Sequence, residues 1–392
     1  MHPPTLHVLY TAIGRGHPYY LDGVVETLAR DYSNVIQLNV TNVFSLSHGL
    51  SLKLWQTVRA MYRQGGKKGI RQALYGIMRN DSSPFRYSLG ARLLAPGLRK
   101  FLAGHPGPTL VGHPLLVPMI RDLVPVYYQH GEVTAPLQSA VSGSRKIFVP
   151  IDACRTRFVQ HGIPASSLET TGLCIERELA LSGRDYYENR IYRLEHGPQL
   201  TGAFYSSGAE PDRHVRDICA GARSLLQAGH QPLVYCAAGG KLEGLLSNMP
   251  EAFRILPDQD GFSYEKVLKE QKILVIIYSG RENLDRLTLA LFKCFDFIVA
   301  PSHERTNWAI GLGLPLFILH PVIGPFAPLN RQVMLDQDVA CDLLAPDTLG
   351  ETVAAMHAEQ RLLTMARNGW GKYNINGFAS VARFITTELG QA

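Results

Sequence analysis

Two short stretches carry residue types that can move a proton at neutral pH. The first is Ile13-Gly14-Arg15-Gly16-His17. It lies between an apolar run, Leu6 to Tyr10, and the helical spacing of Leu21, Val24, Val25 and Leu28. Paired glycines let a backbone approach a ligand closely, and a helix N-terminus behind them favours negative charge. Imidazole titrates near neutrality, so His17 is a candidate base for a hydroxyl, with Gly14 and Gly16 as the cradle for that acceptor. The second stretch, Gln129-His130-Gly131-Glu132, also ends an apolar run, so His130 and Glu132 compete with His17 for the same role. The glycine loop is not GxGxxG, and Asn39 and Asn42 stand where a ribose-holding acid would be needed; a dinucleotide is disfavoured. Two DxD strings, Asp258-Gln259-Asp260 and Asp336-Gln337-Asp338, invite a metal reading. One sits beside Pro257 and Gly261 and the other follows a helical stretch. Both read as solvated turn acids, and no metal is expected.

These residues need strands and helices to aim them. A chain of 392 residues is too long for one comfortable core, and two domains are expected. After Leu6–Tyr10, apolar runs at Val35–Val40, Thr109–Val111, Pro125–Tyr128 and Lys146–Pro150 alternate with helical or turn segments. That is the rhythm of a parallel sheet with crossover helices. A polar stretch, Gly183 to Leu200, shows no core-like run and reads as the connection. The pattern restarts with strands at Thr201–Tyr205, Pro232–Cys236, Ile273–Ile277, Phe297–Ala300 and Pro315–Leu319, and a helix from about Pro211 to Ala228. Phe378, Val381, Ala382, Ile385 and Leu389 have the spacing of a closing amphipathic helix, which can pack back on the first half. The expectation is α/β: two Rossmann-like domains, 1–190 and 191–392, with ligands held outside the carboxyl ends of the strands, in a cleft between them.

Composition narrows the class. No apolar run is long enough to span a bilayer, and the start MHPPTLHVLYTAIG lacks a basic signal-peptide region. Six scattered cysteines without a CxxC pair read as small core residues in a reducing compartment, so a cytoplasmic enzyme is expected. Charge is uneven. Between Asp31 and Asp122 twelve Lys and Arg face the single acid Asp81, a net of +11, which leaves −5 for the rest of a chain of net charge +6. Residues 50–79 contain no acid, and Leu54, Trp55, Val58, Met61 and Tyr62 share one helical face. A basic, aromatic helix of this kind suits the plane of an anionic membrane, at roughly 1 kcal/mol per cation, and makes Trp55 a candidate contact for a lipid acceptor. The competing reading is a core-facing helix with a solvated basic face. Nucleic acid is not expected as a partner.

A resemblance to a known family rests on several of these passages. Gly14-Arg15-Gly16-His17 before an apolar helix resembles the glycine-rich loop of MurG and of the monogalactosyl- and glucosyl-diacylglycerol synthases. More specific is RKIFVPIDACRTRFVQHGIPASSLETTGLCI, residues 145–175, where Gly162-Ile163-Pro164 and Thr171-Gly172 fall as in that family. Val111-Gly112-His113-Pro114 and Pro125 to His130 sit at two further family loops, and His113 joins the acceptor side on that ground. Asp296 to Ser302 and Gly313-Leu314-Pro315 flank the helix that holds the donor in the family.

The resemblance implies a GT-B glycosyltransferase moving a hexose from a nucleoside-diphosphate sugar, UDP-linked above others, to a hydroxyl, at the inner membrane face, with inversion and without metal. The leaving diphosphate would be met by helix ends and backbone amides. Ser206-Ser207-Gly208 and His303-Glu304-Arg305-Thr306 are the turns placed to do this, with Arg305 as a direct phosphate ligand. Tyr278 and Ser279 would lie against the base, and Asn330 would remain from the sugar-gripping loop. One position departs from the pattern: Trp308 stands where the family has a ribose-holding Glu, with Glu304 one turn earlier as its substitute. That departure keeps a non-catalytic binding protein open. A 2-epimerase or hydrolase on the same fold is the rival enzyme, and it needs additional acid–base carboxylates, for which Glu132 and Glu304 are the candidates.

Overall fold

The computed structural model describes residues 3–11, 16–64, 89–255 and 271–390, without the side chains of 16, 17, 61–64 and 89. The chain forms two compact units, Met1–Arg177 with Tyr373–Ala392, and Glu178–Lys372.

The first unit is built on six parallel strands: β1 (Thr5–Tyr10), β2 (Gln37–Asn42), β3 (Thr109–Val111), β4 (Val126–Gln129), β5 (Lys146–Val149) and β6 (Leu168–Thr170). Their order is β2-β1-β3-β4-β5-β6. Leu6, Val8, Leu110, Val111 and Phe148 are buried, as expected of strands covered on both faces. The helix Gly16–Asp31 follows β1 and packs Leu21, Val24 and Leu28 against Phe378, Val381 and Ile385 of the last helix, Gly377–Gly390. The approach is close: a Cβ on Gly23 would lie 2.2 Å from the Phe378 ring. The Tyr127 hydroxyl donates to Glu388 at 2.8 Å and Arg145 pairs with the same carboxylate, so the end of the chain is tied to β4 and to the residue before β5.

The second unit holds seven parallel strands: β7 (Thr201–Tyr205), β8 (Gln231–Ala237), β9 (Ala252–Ile255), β10 (Ile273–Tyr278), β11 (Phe297–Ala300), β12 (Leu316–Ile318) and β13 (Ala340–Asp342). Their order is β13-β12-β11-β7-β8-β10-β9. The helix Asp212–Gln227 lays Val215, Ile218 and Leu225 on the sheet residues Phe204, Val234 and Val275.

Two readings of the sequence change here. The polar stretch Gly183 to Leu200 is no bare connection: Gly183–His196 is a helix of the second unit. Its inner face repeats at helical spacing through Arg190, Arg193 and Leu194, and two of these three are arginines. Arg190 is fully buried, donating to the carbonyls of Phe295 at 2.8 Å and Leu312 at 2.6 Å, while Arg193 pairs with buried Asp296 at 2.7 Å. Burial lowers the Arg190 guanidinium to about 9. The short strands β6, β9 and β13 escape the sequence reading because all three lie at sheet edges, where one flank stays wet and no continuous apolar run is needed.

Among the described residues no helix is long and apolar enough to cross a membrane.

Candidate functional site

In the second sheet the chain runs from β7 to β8 on one side and returns to β11 on the other. The strand order therefore reverses between β7 and β11, which is where open α/β sheets leave a crevice at their carboxyl ends. The turns 206–208 and 303–306 lie at the ends of these two neighbouring strands.

Arg305 joins the two turns. Its guanidinium carbon lies 3.9 Å from the centroid of the Tyr205 ring and 5.0 Å from that of Trp308, and Nη1 pairs with Glu304 at 2.9 Å. Tyr205 in turn stacks on Tyr235 at 4.5 Å and its hydroxyl meets Thr288 at 3.2 Å. A cation resting on an electron-rich face in a half-dry setting is held with little freedom left to lose. Next along the chain, the Ser206 Oγ is buried and finds no hydrogen-bond partner among the described residues. A buried hydroxyl left in that state is costly unless something arrives to meet it.

Trp308 is 3 % exposed and packs edge-on to Tyr205 at 6.0 Å and Phe292 at 5.3 Å. The residue standing in place of the family's Glu is thus core, and it supports Arg305. Tyr205 escapes the sequence reading, and Trp308 is noticed there only as a departure, because an apolar strand end and a lone indole carry no signal of a cation overhead.

Other donor-side candidates turn inward. The Thr306 hydroxyl donates to the His303 carbonyl at 2.6 Å, and Thr306 is fully buried. The amides of His303 and Thr306 are used within their own turn, on the carbonyls of Pro301 and His303. Asn330 is fully buried and its amide donates to the Ser302 carbonyl at 3.0 Å, which bolts the loop after β11 to the helix Ala327–Asp336. These two side chains are corrected from exposed ligand contacts to internal fasteners, because each is fully buried and the Thr306 hydroxyl and the Asn330 amide nitrogen donate to main-chain carbonyls of the same loop. The Tyr278 carbonyl accepts from Ala238, and the Ser279 amide caps on Asn283 at 3.2 Å. Ser207 closes its turn by accepting from Glu210, and Gly208 is exposed. Of the DxD strings, 258–260 lies outside the described residues. Asp336 accepts from Gln332, and Asp338 pairs with Arg361.

In the first unit the carboxyl ends of β3 and β4 present His113 and the loop His130-Gly131-Glu132. The helix Gly16–Asp31 begins at the end of neighbouring β1. Gly14 and the His17 side chain lie outside the described residues, but Tyr20, one turn into that helix, packs on the loop. A Cβ on Gly131 would lie 2.0 Å from its ring, so only glycine fits. His113 is 3 % exposed, and its Nδ1 accepts from the Leu115 amide at 3.1 Å, a cap for the short turn that follows.

His130 is also 3 % exposed. Its Nε2 meets the Thr134 carbonyl at 2.9 Å, its Nδ1 meets the Tyr128 hydroxyl at 3.1 Å, and its ring stands edge-on to Phe158 at 4.9 Å. An imidazole with both nitrogens engaged inside the core is no acceptor for a proton from outside, and His130 is corrected from base to structural element. Glu132 is 7 % exposed and electrostatically close to Tyr128, Cys154 and Cys174. Burial pushes all three of those groups up, and the Glu132 carboxylate adds to it.

Trp55 is fully buried, its indole N–H donating to the Leu94 carbonyl at 3.0 Å. It anchors the helix Gly49–Gln64 from within and is corrected from an outward lipid contact. Lys53 on the same helix is exposed, and Leu50 is 62 % exposed.

No protein-family model matches this chain, and no curated protein matches it in sequence. Solved structures do match. S. aureus MnaA in a structure with UDP gives a TM-score of 0.58 at 11 % identity, covering 99 % of this chain and 98 % of that one. UDP-GlcNAc 2-epimerase from Neisseria meningitidis bound to UDP-GlcNAc gives 0.55 at 12 %, covering 99 % and 100 %. MurG from Acinetobacter baumannii gives 0.54 at 10 %, covering 98 % and 100 %. The fold is GT-B, with two Rossmann-like α/β halves. It does not single out the transferases, since epimerases share it over the same length.

Proposed function

We propose that this chain is an enzyme of nucleoside-diphosphate sugars, with the diphosphate held at the ends of β7 and β11. The observation that carries this is Arg305 resting on Tyr205 where the strand order reverses, followed in the chain by the Ser206 hydroxyl, buried and without a hydrogen-bond partner among the described residues. A guanidinium fixed in one orientation suits a phosphate, and a buried hydroxyl adds a donor. Positive groups of this kind stabilise a departing diphosphate, and weakening the bond between sugar and diphosphate serves both transfer and epimerisation. UDP and UDP-GlcNAc occupy two of the similar structures, which supports a uridine nucleotide.

Epimerisation at C2 is a reading the similar structures support at least as well as transfer, because UDP-GlcNAc 2-epimerases from several organisms match over the whole length beside MurG. It needs additional acid–base carboxylates, for which Glu132 at the end of β4 and Glu304 after β11 are the candidates. Hexosyl transfer to a lipid hydroxyl at an anionic membrane is favoured by one separate observation, the +11 block with its acid-free segment 50–79. Incubation with UDP-GlcNAc and no acceptor separates the two. Conversion to a second UDP-sugar identifies the epimerase, and turnover that waits for a lipid acceptor identifies the transferase. Calorimetry showing no affinity for UDP or its sugars would remove both. Failure to co-sediment with anionic vesicles at low salt would remove the membrane.

A further inference from the structure

The loop after β4 is irregular and dry: residues 131–136 are all buried, with no helix or strand to satisfy their backbone. Loops are seldom buried, because each peptide group then needs a partner. Two histidine side chains supply partners here. His130 Nε2 meets the Thr134 carbonyl at 2.9 Å, and His161 Nε2 meets the Ala135 carbonyl at 3.1 Å. A carbonyl only accepts, so each Nε2 carries the proton. In neutral His130 the Nδ1 then accepts from the Tyr128 hydroxyl. The His130 ring therefore runs from β4 across to Thr134 and closes a five-residue loop whose central residue is Glu132.

We propose that His130 is a positioning residue for Glu132: it acts as a staple that fixes the carboxylate at the carboxyl end of β4, the edge of the first sheet where open α/β sheets take their ligands. The catalytic half of this rests on the nucleotide-sugar reading above; the stapling half does not. Gly131 is pinned against Tyr20, His130 against Phe158, and Thr134 is held through its carbonyl, so Glu132 is constrained from both sides. A side chain held within a narrow range of geometry keeps its place without reorganisation during reaction.

His130→Phe keeps a ring against Phe158 and removes both hydrogen bonds; His130→Gln retains an amide able to reach the Thr134 carbonyl. Hydrogen exchange of amides 131–134 is expected to speed up about tenfold or more in His130→Phe, with β4 and β5 unchanged, and to recover in His130→Gln. With a UDP-sugar as substrate, kcat is expected to fall about tenfold or more while KM stays within about twofold, again with recovery in His130→Gln. Unchanged exchange across 131–134 in a folded His130→Phe protein overturns the staple. Unchanged kcat in that variant, when Glu132→Gln is inactive, overturns the positioning role. Should His130→Phe not fold, His130→Asn, whose amide is too short to span to the Thr134 carbonyl, removes the same bond, and slow exchange retained there counts against the proposal equally. If the wild type consumes no UDP-sugar, the nucleotide-sugar reading fails and the catalytic half with it, and the exchange result still upholds or overturns the staple alone.

Discussion

Arg305 sits with its guanidinium carbon 3.9 Å above the ring of Tyr205, and this contact joins the turns that end two adjacent strands of the second sheet. Arg305 lies in a turn that the family resemblance singles out, whereas Tyr205 belongs to no motif. What gives them meaning is the reversal of strand order between β7 and β11, which makes their meeting point the place where a ligand would lie.

Replacing Arg305 with Ala removes the cation but leaves Tyr205 packed on Tyr235. Affinity for UDP is expected to drop by about tenfold or more, equivalent to ~1.4 kcal/mol, while the fold is kept. Arg305→Lys should recover little, since an ammonium neither stacks nor forks. Calorimetric titration with UDP measures both; equal affinity in wild type and Arg305→Ala would exclude the contact from the site.

Gly131→Ala places a methyl 2.0 Å from the Tyr20 ring. Overpacking of this kind costs about 1–3 kcal/mol, so the thermal midpoint should fall. In the double variant with Tyr20→Leu much of the loss should return, because the flat ring that met the methyl is gone. A loss identical in both backgrounds would show that the strain lies elsewhere.

Asp296 is wholly buried, and burial raises its carboxyl pKa while Arg193 opposes that rise. Arg193→Met would leave the carboxylate the Thr201 amide at 2.8 Å and the field of nearby Arg190, without its paired guanidinium. The expected cost is ~3 kcal/mol or more, read as a lower denaturant midpoint. A midpoint unchanged by the substitution would mean that the pair contributes nothing net.

Burial lowers the pKa of His7, His214 and His230 below the ordinary 6.5, with neighbouring His105 adding to the effect at His7. Below 6.5 the unfolded chain takes up protons that the folded chain refuses, so stability is full above that pH and declines as pH falls. Asp31, Asp122 and Asp342, held down by arginine partners, add a further loss at lower pH, below about their ordinary 3.8. Urea denaturation at a series of pH values should show stability already falling between neutrality and the carboxylate range. A flat profile there would mean that these imidazoles do not titrate differently on unfolding.

The sequence by itself determined the GT-B architecture and most of its strands. Buried parallel strands such as Ile273–Tyr278 and Phe297–Ala300 must be apolar on both faces, so they announce themselves as runs. It also located the loops worth searching, since glycines and histidines after strands are local features. What it could not decide is which polar atoms those loops leave available. His130, Thr306, Asn330 and Trp55 all look like site residues in one dimension, and each is buried with a side-chain hydrogen bond to a main-chain carbonyl. Arg190 and Arg193 look like a charged linker, yet they hold a helix against the second sheet. Tyr205 and Trp308 look like ordinary core, yet they carry Arg305. Hydrophobic periodicity is read along the chain, whereas a hydrogen bond or a stacked cation is a choice among partners that only folding brings within reach.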